Sequence, residues 1–216
     1  MSARLVSLCE MSAVTDLIPL SLRARLGRAK ARALWPVIGF GVPAPQHVKL
    51  EVLRRYGQAH GTWVETGTYL GDTTAVLART AAHVYTIEPA PFLAQRARER
   101  FSKVKNIDVC EGLSEQLFPG ILAQLSGPVS FWLDGHTSGG VTHLGPQVTP
   151  IREELATIAA HLHHLGQVTV LVDDFRGFGA SRAQDDAYPS RSSLVQWADA
   201  NDLAWTVEHD IFVAYR

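Results

Sequence analysis

From Val48 onward the apolar positions of the chain follow two alternating rhythms. Stretches 50–60, 73–81, 91–103, 114–125, 150–165 and 193–201 repeat them at helical spacing. Between these lie short apolar runs at 62–66, 83–88, 107–111, 129–134, 168–173, 204–208 and 211–215. Short runs separated by helix-length amphipathic segments are the pattern of successive βα units, which build a mainly parallel sheet. Only His209 and Asp210 separate the last two runs. That connection is long enough for an antiparallel hairpin and too short for a parallel crossover. The predicted fold is therefore α/β: a Rossmann-like, mostly parallel seven-stranded sheet with a C-terminal antiparallel hairpin and helices on both faces.

The first 45 residues break this rhythm. Arg4, Arg23, Arg25, Arg28, Lys30 and Arg32 stand against Glu10 and Asp16, with Leu20, Leu22, Leu26 and Leu34 interspersed. A basic amphipathic helix of this kind reads as a lid, a dimer arm or a weak membrane contact, or as a solvated helix packed on the domain. The expected organisation is an N-terminal helical segment over 1–45 and one α/β domain over 46–216, with a homodimer as the expected assembly.

Composition narrows the picture. The 216 residues fit one α/β domain, so any ligand sites should share one core. With 46% hydrophobic and 19% charged residues the chain has a globular composition, and a net charge of -1 gives no reason to expect nucleic acid or an anionic membrane as partner. Cys9 and Cys110 are too few for a disulfide framework and are not spaced as zinc ligands. No apolar stretch is long enough to span a bilayer, and a soluble, cytoplasmic protein is expected.

The first candidate chemistry lies between the first strand and its helix, in the segment VETGTYLGDTT from Val64 to Thr74. Gly67 and Gly71 permit a tight turn and close approach of a ligand. The spacing is neither the G-x-G-x-x-G of dinucleotide sites nor the G-x-x-x-x-G-K-[ST] of phosphate loops. Glu65 stands just before the glycines, where it opposes a phosphate but suits a cationic amino group. Glu88, at the end of the second strand, is placed to accept hydrogen bonds from ribose hydroxyls. An adenosine carrying an amino-acid tail accounts for both acids. Gly112, Leu113 and Ser114 follow the third strand and would border the adenine.

With these residues in view, the stretch from Thr62 to Phe178 resembles the class I S-adenosylmethionine (SAM) methyltransferases. Within them Glu65 to Thr73, FWLDGH from Phe131 to His136, and Val172-Asp173-Asp174 are similar to the metal-dependent O-methyltransferases of sugar hydroxyls, such as those acting on macrolide sugars. The resemblance implies SAM as cofactor, with Glu65, Gly67, Tyr69, Gly71, Thr73, Glu88, Gly112, Ser114 and Asp134 around it.

Strand four ends in Asp134-Gly135-His136 and strand five in Asp173-Asp174. Ligands of open parallel sheets bind beyond the carboxyl ends of the strands, so these residues should converge on the reacting methyl group. Three oxygen ligands, Asp134, Asp173 and Asp174, suit a hard ion such as Mg2+ or Mn2+, which would acidify a coordinated hydroxyl. Asp173 and Asp174 can share an ion only if the chain turns between them. The alternative is that Asp134 caps a loop or touches cofactor and that the other two are a solvated strand end. His136 is the candidate general base, with Asp134 also catalytic and His143 in reserve. His161, His163 and His164 sit near a helix end, where a cation is favoured, and mimic a metal cluster.

Loops 137–149 and 175–192 flank this centre and have the Gly, Ser and Asp content of acceptor-binding segments. Trp132, Tyr69, Phe175 and Tyr188 could face a sugar ring, although Trp132 lies within a strand and reads as core. The expected activity is metal-dependent O-methylation of a sugar hydroxyl on a small carbohydrate acceptor, with a mannoside of a methylated polysaccharide as one acceptor the resemblance suggests. The alternatives are O-methylation of a catechol-like or other small-molecule hydroxyl, and a non-catalytic cofactor-binding module.

Overall fold

The computed structural model describes residues 30, 33–37, 39–41, 44–134, 149–179 and 189–216. The chain divides into two compact units, Met1–Val48 and Lys49–Arg216. In the first, Trp35, Ala44 and Val48 form a small apolar cluster. The Trp35 indole N–H donates to the Gly41 carbonyl at 2.8 Å and the ring meets Phe40 edge-on. The predicted lid or dimer arm at 1–45 lies mostly outside the described residues.

The second unit is built on seven strands: β1 (Thr62–Thr66), β2 (His83–Glu88), β3 (Ile107–Glu111), β4 (Val129–Leu133), β5 (Val168–Val172), β6 (Ala204–Glu208) and β7 (Ile211–Tyr215). Among the described residues six α-helices accompany them: α1 (Gln46–Tyr56), α2 (Asp72–Leu77), α3 (Pro91–Phe101), α4 (Ser114–Leu122), α5 (Ile151–His161) and α6 (Arg191–Ala200). The sheet order is β3-β2-β1-β4-β5-β7-β6. The first five strands pair in parallel, while β7 is antiparallel to both β5 and β6. This is the predicted Rossmann-like architecture with its terminal hairpin. His209 and Asp210, the two loop residues, both have positive φ, 49° and 72°, as a two-residue turn matched to strand twist demands.

The central strands are apolar in both directions because both faces are covered. Successive side chains of a strand point to opposite faces, and the core divides accordingly. Val64, Phe131, Val170 and Phe212 pack with α4, α5 and α6 through Phe118, Ile158 and Leu194. Their neighbours Trp63, Trp132, Leu171 and Val213 pack with α1, α2 and α3 through Leu53, Leu77 and Phe101. Trp132, expected either as core or as a sugar platform, is therefore core and buried. A fully buried aromatic or aliphatic side chain contributes roughly 1.5–3 kcal/mol from its area alone. Both layers together hold rigid the strand ends that carry the site. No helix among the described residues is long and apolar enough to cross a membrane.

Gly71 opens α2 in the left-handed region at φ 76°. A Cβ there would come within 2.8 Å of the Phe101 ring on α3. Gly71→Ala is therefore expected to cost about 2 kcal/mol, the sum of left-handed strain and a displaced ring. A urea melt showing no change in midpoint would contradict this.

Candidate cofactor and reaction site

The turn after β1 is fixed to the end of β2 by backbone bonds: the Gly67 and Thr68 amides both donate to the Ile87 carbonyl, at 3.0 and 3.2 Å. Gly67 has φ 86°, which a side chain would resist. Tyr69 also adopts the left-handed region, at φ 48°. Its amide donates to Glu88 Oε2 at 2.8 Å, while the Ala90 amide donates to Glu88 Oε1 at 3.0 Å. Glu88 is thus buried and held by two backbone donors, and the Tyr69 ring is exposed. Gly112 joins the same corner, its amide donating to the Glu88 carbonyl at 3.1 Å. Thr73 lies in the first turn of α2.

Glu65 is buried at the carboxyl end of β1. One carboxylate oxygen, Oε2, accepts from the Thr74 and Thr86 hydroxyls at 2.5 and 2.7 Å. The other, Oε1, is buried without a hydrogen-bond partner among the described residues. Leaving a buried acceptor unsatisfied is costly and calls for an explanation. Burial pushes the Glu65 carboxyl up to about 7, against the pull of the two hydroxyls, with the Asp134 and Glu88 carboxylates adding to the rise.

Ser114, at the start of α4, is buried, and its hydroxyl donates to Glu154 Oε1 on α5 at 2.5 Å. Glu154, buried beside this candidate residue, was not singled out in the sequence. Its signal was an acid at a core-facing position, between Ile151 and Leu155.

The end of the sheet expected to carry the reaction is formed by β4 and β5. The ladder continues one residue past each strand, with the Asp134 amide donating to Thr66 O and the Asp173 amide to Leu133 O. Asp174 then enters the left-handed region at φ 52°. The chain does turn between the two aspartates, the condition for them to face one partner. That partner is Lys49 of α1. Its ammonium donates to Asp173 Oδ2 and lies 3.6 Å from Asp174 Oδ1. The second Asp173 oxygen accepts from the Asp174 amide at 2.9 Å. Burial and then the Asp134 carboxylate raise the Asp173 pKa, and Lys49 opposes them. Burial lowers the Lys49 pKa, but the Asp173, Asp134 and Asp174 charges outweigh it, so the net shift is upward and the side chain is an ammonium.

The expected divalent-ion site on Asp134, Asp173 and Asp174 finds no support here. Among the described residues no group of three or more His, Cys, Asp or Glu could hold a metal ion. The buried carboxylate, Asp173, already has both oxygens engaged, one by a lysine. A donor set of this kind does not fit Mg2+ or Mn2+, which needs several free oxygens around it.

His136 and His143 lie outside the described residues, as do Gly135, Tyr188 and the loop residues 137–148 and 180–188. Phe175, a candidate sugar platform, stacks on Phe212 with ring centroids 5.8 Å apart. The segment it begins is pinned to the hairpin turn: its amide donates to the Asp210 carbonyl at 2.8 Å, and the Arg176 amide and guanidinium both reach Asp210 Oδ1. The histidine group near the end of α5 is structural. Ring nitrogens of His161, His163 and His164 meet the carbonyls of Thr157, Ala160 and Leu122 at 2.8, 2.9 and 3.2 Å.

No protein-family model and no curated protein matches the chain. Solved structures resemble it at a distance. One is a candidate methyltransferase from Streptococcus mutans in complex with SAH: 14% identity, TM-score 0.48, covering 81% of this chain and 98% of the other. A SAM-dependent methyltransferase from Aquifex aeolicus gives 14% identity and TM-score 0.46, covering 87% and 96%. Aeropyrum pernix fibrillarin with natively bound SAM gives 11% and 0.46, covering 73% and 66%.

Proposed function

We propose that this chain is a SAM-dependent methyltransferase, with the cofactor held at the carboxyl ends of β1, β2 and β3. The observation that carries this reading is the pair of buried acids beside the glycine turn, above all the unpartnered Oε1 of Glu65. A cofactor with an amino-acid tail brings an ammonium that such an oxygen can accept from, and its ribose suits Glu88. A pyrophosphate would instead be repelled by both. Gly67, Tyr69, Gly71, Thr73 and Gly112 would line the turn, Ser114 the adenine edge, and Asp134 the methyl end. When bound, the cofactor supplies an electrophilic methyl group on a sulfonium. The carboxylates of Glu88, Asp134 and Asp174, together with Glu65 once ionised, give this end of the sheet a negative field that favours such a cation.

The acceptor we propose is a hydroxyl of a small carbohydrate, with a mannoside as the first to try. Carboxylates at the ends of β4 and β5 can accept hydrogen bonds from a polyol, and the flanking loops are rich in small polar residues. His136 is assigned to remove the hydroxyl proton, with Asp134 orienting the acceptor. Calorimetry with SAH and with NAD tests the cofactor: SAH should bind stoichiometrically and NAD should not, and tight NAD binding without SAH binding refutes the assignment. A screen of mannosides, other sugars and catechols with radiolabelled SAM, with and without magnesium, then tests the acceptor. Label appearing in catechols alone removes the carbohydrate reading.

A further inference from the structure

The acidic strand ends and the lysine among them point to a specific division of labour. Asp173 is fully buried, and a buried carboxylate needs a compensating charge. The compensation comes from α1, 124 residues earlier in the chain, where Lys49 is itself buried and turned onto Asp173 and Asp174. Val52 and Leu53, one turn further along α1, pack on the sheet with Trp63, Trp132 and Leu171. The helix, and with it the ammonium, is therefore fixed by apolar packing rather than by the charges alone. Asp173 and Asp174 beyond β5 lie within ion-pair distance of Lys49, and the charge of Asp134 beyond β4 acts on it as well.

We propose that Lys49 is the resident cation of this centre. It lies against Asp173 and Asp174, where the divalent ion was expected, so the chain binds no catalytic metal there. Lys49 is then a positioning residue. It neutralises Asp173, fixes the Asp173 carboxylate by hydrogen bond with Asp174 within ion-pair distance, and leaves the reaction end with the negative charge of its remaining acids. This deepens the methyltransferase reading and rests on it for the identity of the reaction, but the cation's identity is measured without cofactor or acceptor.

The test is Mn2+ binding to the full chain, followed by calorimetry and electron paramagnetic resonance. The wild type should take up no stoichiometric Mn2+. Lys49→Ala should gain a site that binds Mn2+ at least about tenfold more tightly, because a repelling charge is gone and carboxylate oxygens are freed. Adding Asp173→Asn to that variant should abolish the gain. A second measurement needs only the wild type: in nitrogen-detected NMR the Lys49 ammonium signal should survive one equivalent of Mn2+ without paramagnetic broadening. Micromolar Mn2+ uptake by the wild type, broadening of that signal, or a Lys49→Ala chain that is folded yet gains no Mn2+ overturns the proposal. SAH titration of the same samples reports separately on the cofactor, so failure of one reading is distinguishable from failure of the other.

Discussion

SAH affinity is expected to rise about 20- to 30-fold between pH 5.5 and 7.5, with most of the change below pH 7 and a plateau above it. The cause is Glu65, whose carboxyl is pushed up to about 7 by burial. In the free protein it carries a proton through the lower part of this window. A ligand ammonium placed against Oε1 favours the carboxylate, so binding must expel that proton, and the cost of doing so falls as pH rises. Calorimetry in two buffers of different ionisation enthalpy should register close to one proton released at the acid end and almost none above pH 8. Glu65→Gln keeps an oxygen for the Thr74 and Thr86 hydroxyls but cannot ionise. Its profile should be flat and its affinity at pH 7.5 reduced. A flat wild-type profile would count against the ammonium contact. The same shift works on stability with the opposite slope. The folded pKa lies above the unfolded one, so Glu65 stabilises the free protein most below the unfolded value and loses that contribution as pH rises through about 7.

His136→Ala should lower turnover by about 10²- to 10⁴-fold, the usual worth of a positioned proton transfer. A sugar hydroxyl must lose its proton as its oxygen attacks the methyl group, and an imidazole three residues beyond the end of β4 has the appropriate intrinsic pKa. If the role is proton removal, kcat and kcat/KM fall together and SAH affinity is unchanged. Single-turnover kinetics alongside SAH calorimetry separates these quantities. A near-normal rate would transfer the base assignment to His143 or Asp134, and a parallel loss of SAH binding would reveal a structural role instead.

The strands were legible because each is a short apolar run bounded by turn residues, and the hairpin because two residues admit only one kind of connection. Helix ends were less so. The first helix begins at Gln46, just after Pro45, rather than at residue 50, and α2 stops at Leu77 rather than at 81. In the last turn of the α5 segment the helix tightens at Leu162–His164, something an apolar repeat does not reveal. The acids of the site could be read from their position at strand ends. What neutralises them could not. Lys49 lies in the segment QHVKLEVLRRY, where a lysine reads as part of a solvated face, and only the packing of α1 on the sheet turns it inward. Glu154 and Asp210 were missed for the same reason, since each is defined by a partner tens of residues away, Ser114 in one case and Arg176 in the other.

The position of β7 sets the order in which this sheet can be completed. The strand lies between β5 and β6, pairing Tyr215 with Thr169 on one side and with Ala204 on the other. A nascent chain that has reached residue 205 already holds Glu65, Glu88, Asp134, Asp173 and Asp174, along with five strands able to pair in parallel. It still presents the outer edge of β5, VTVLV, with its amides and carbonyls unsatisfied. An apolar, β-branched edge of this kind is a template for pairing with another molecule. Aggregation during synthesis should therefore concentrate in the interval before residues 211–215 emerge, and chains cut short of Ile211 should be lost to insolubility with their reaction centre chemically intact.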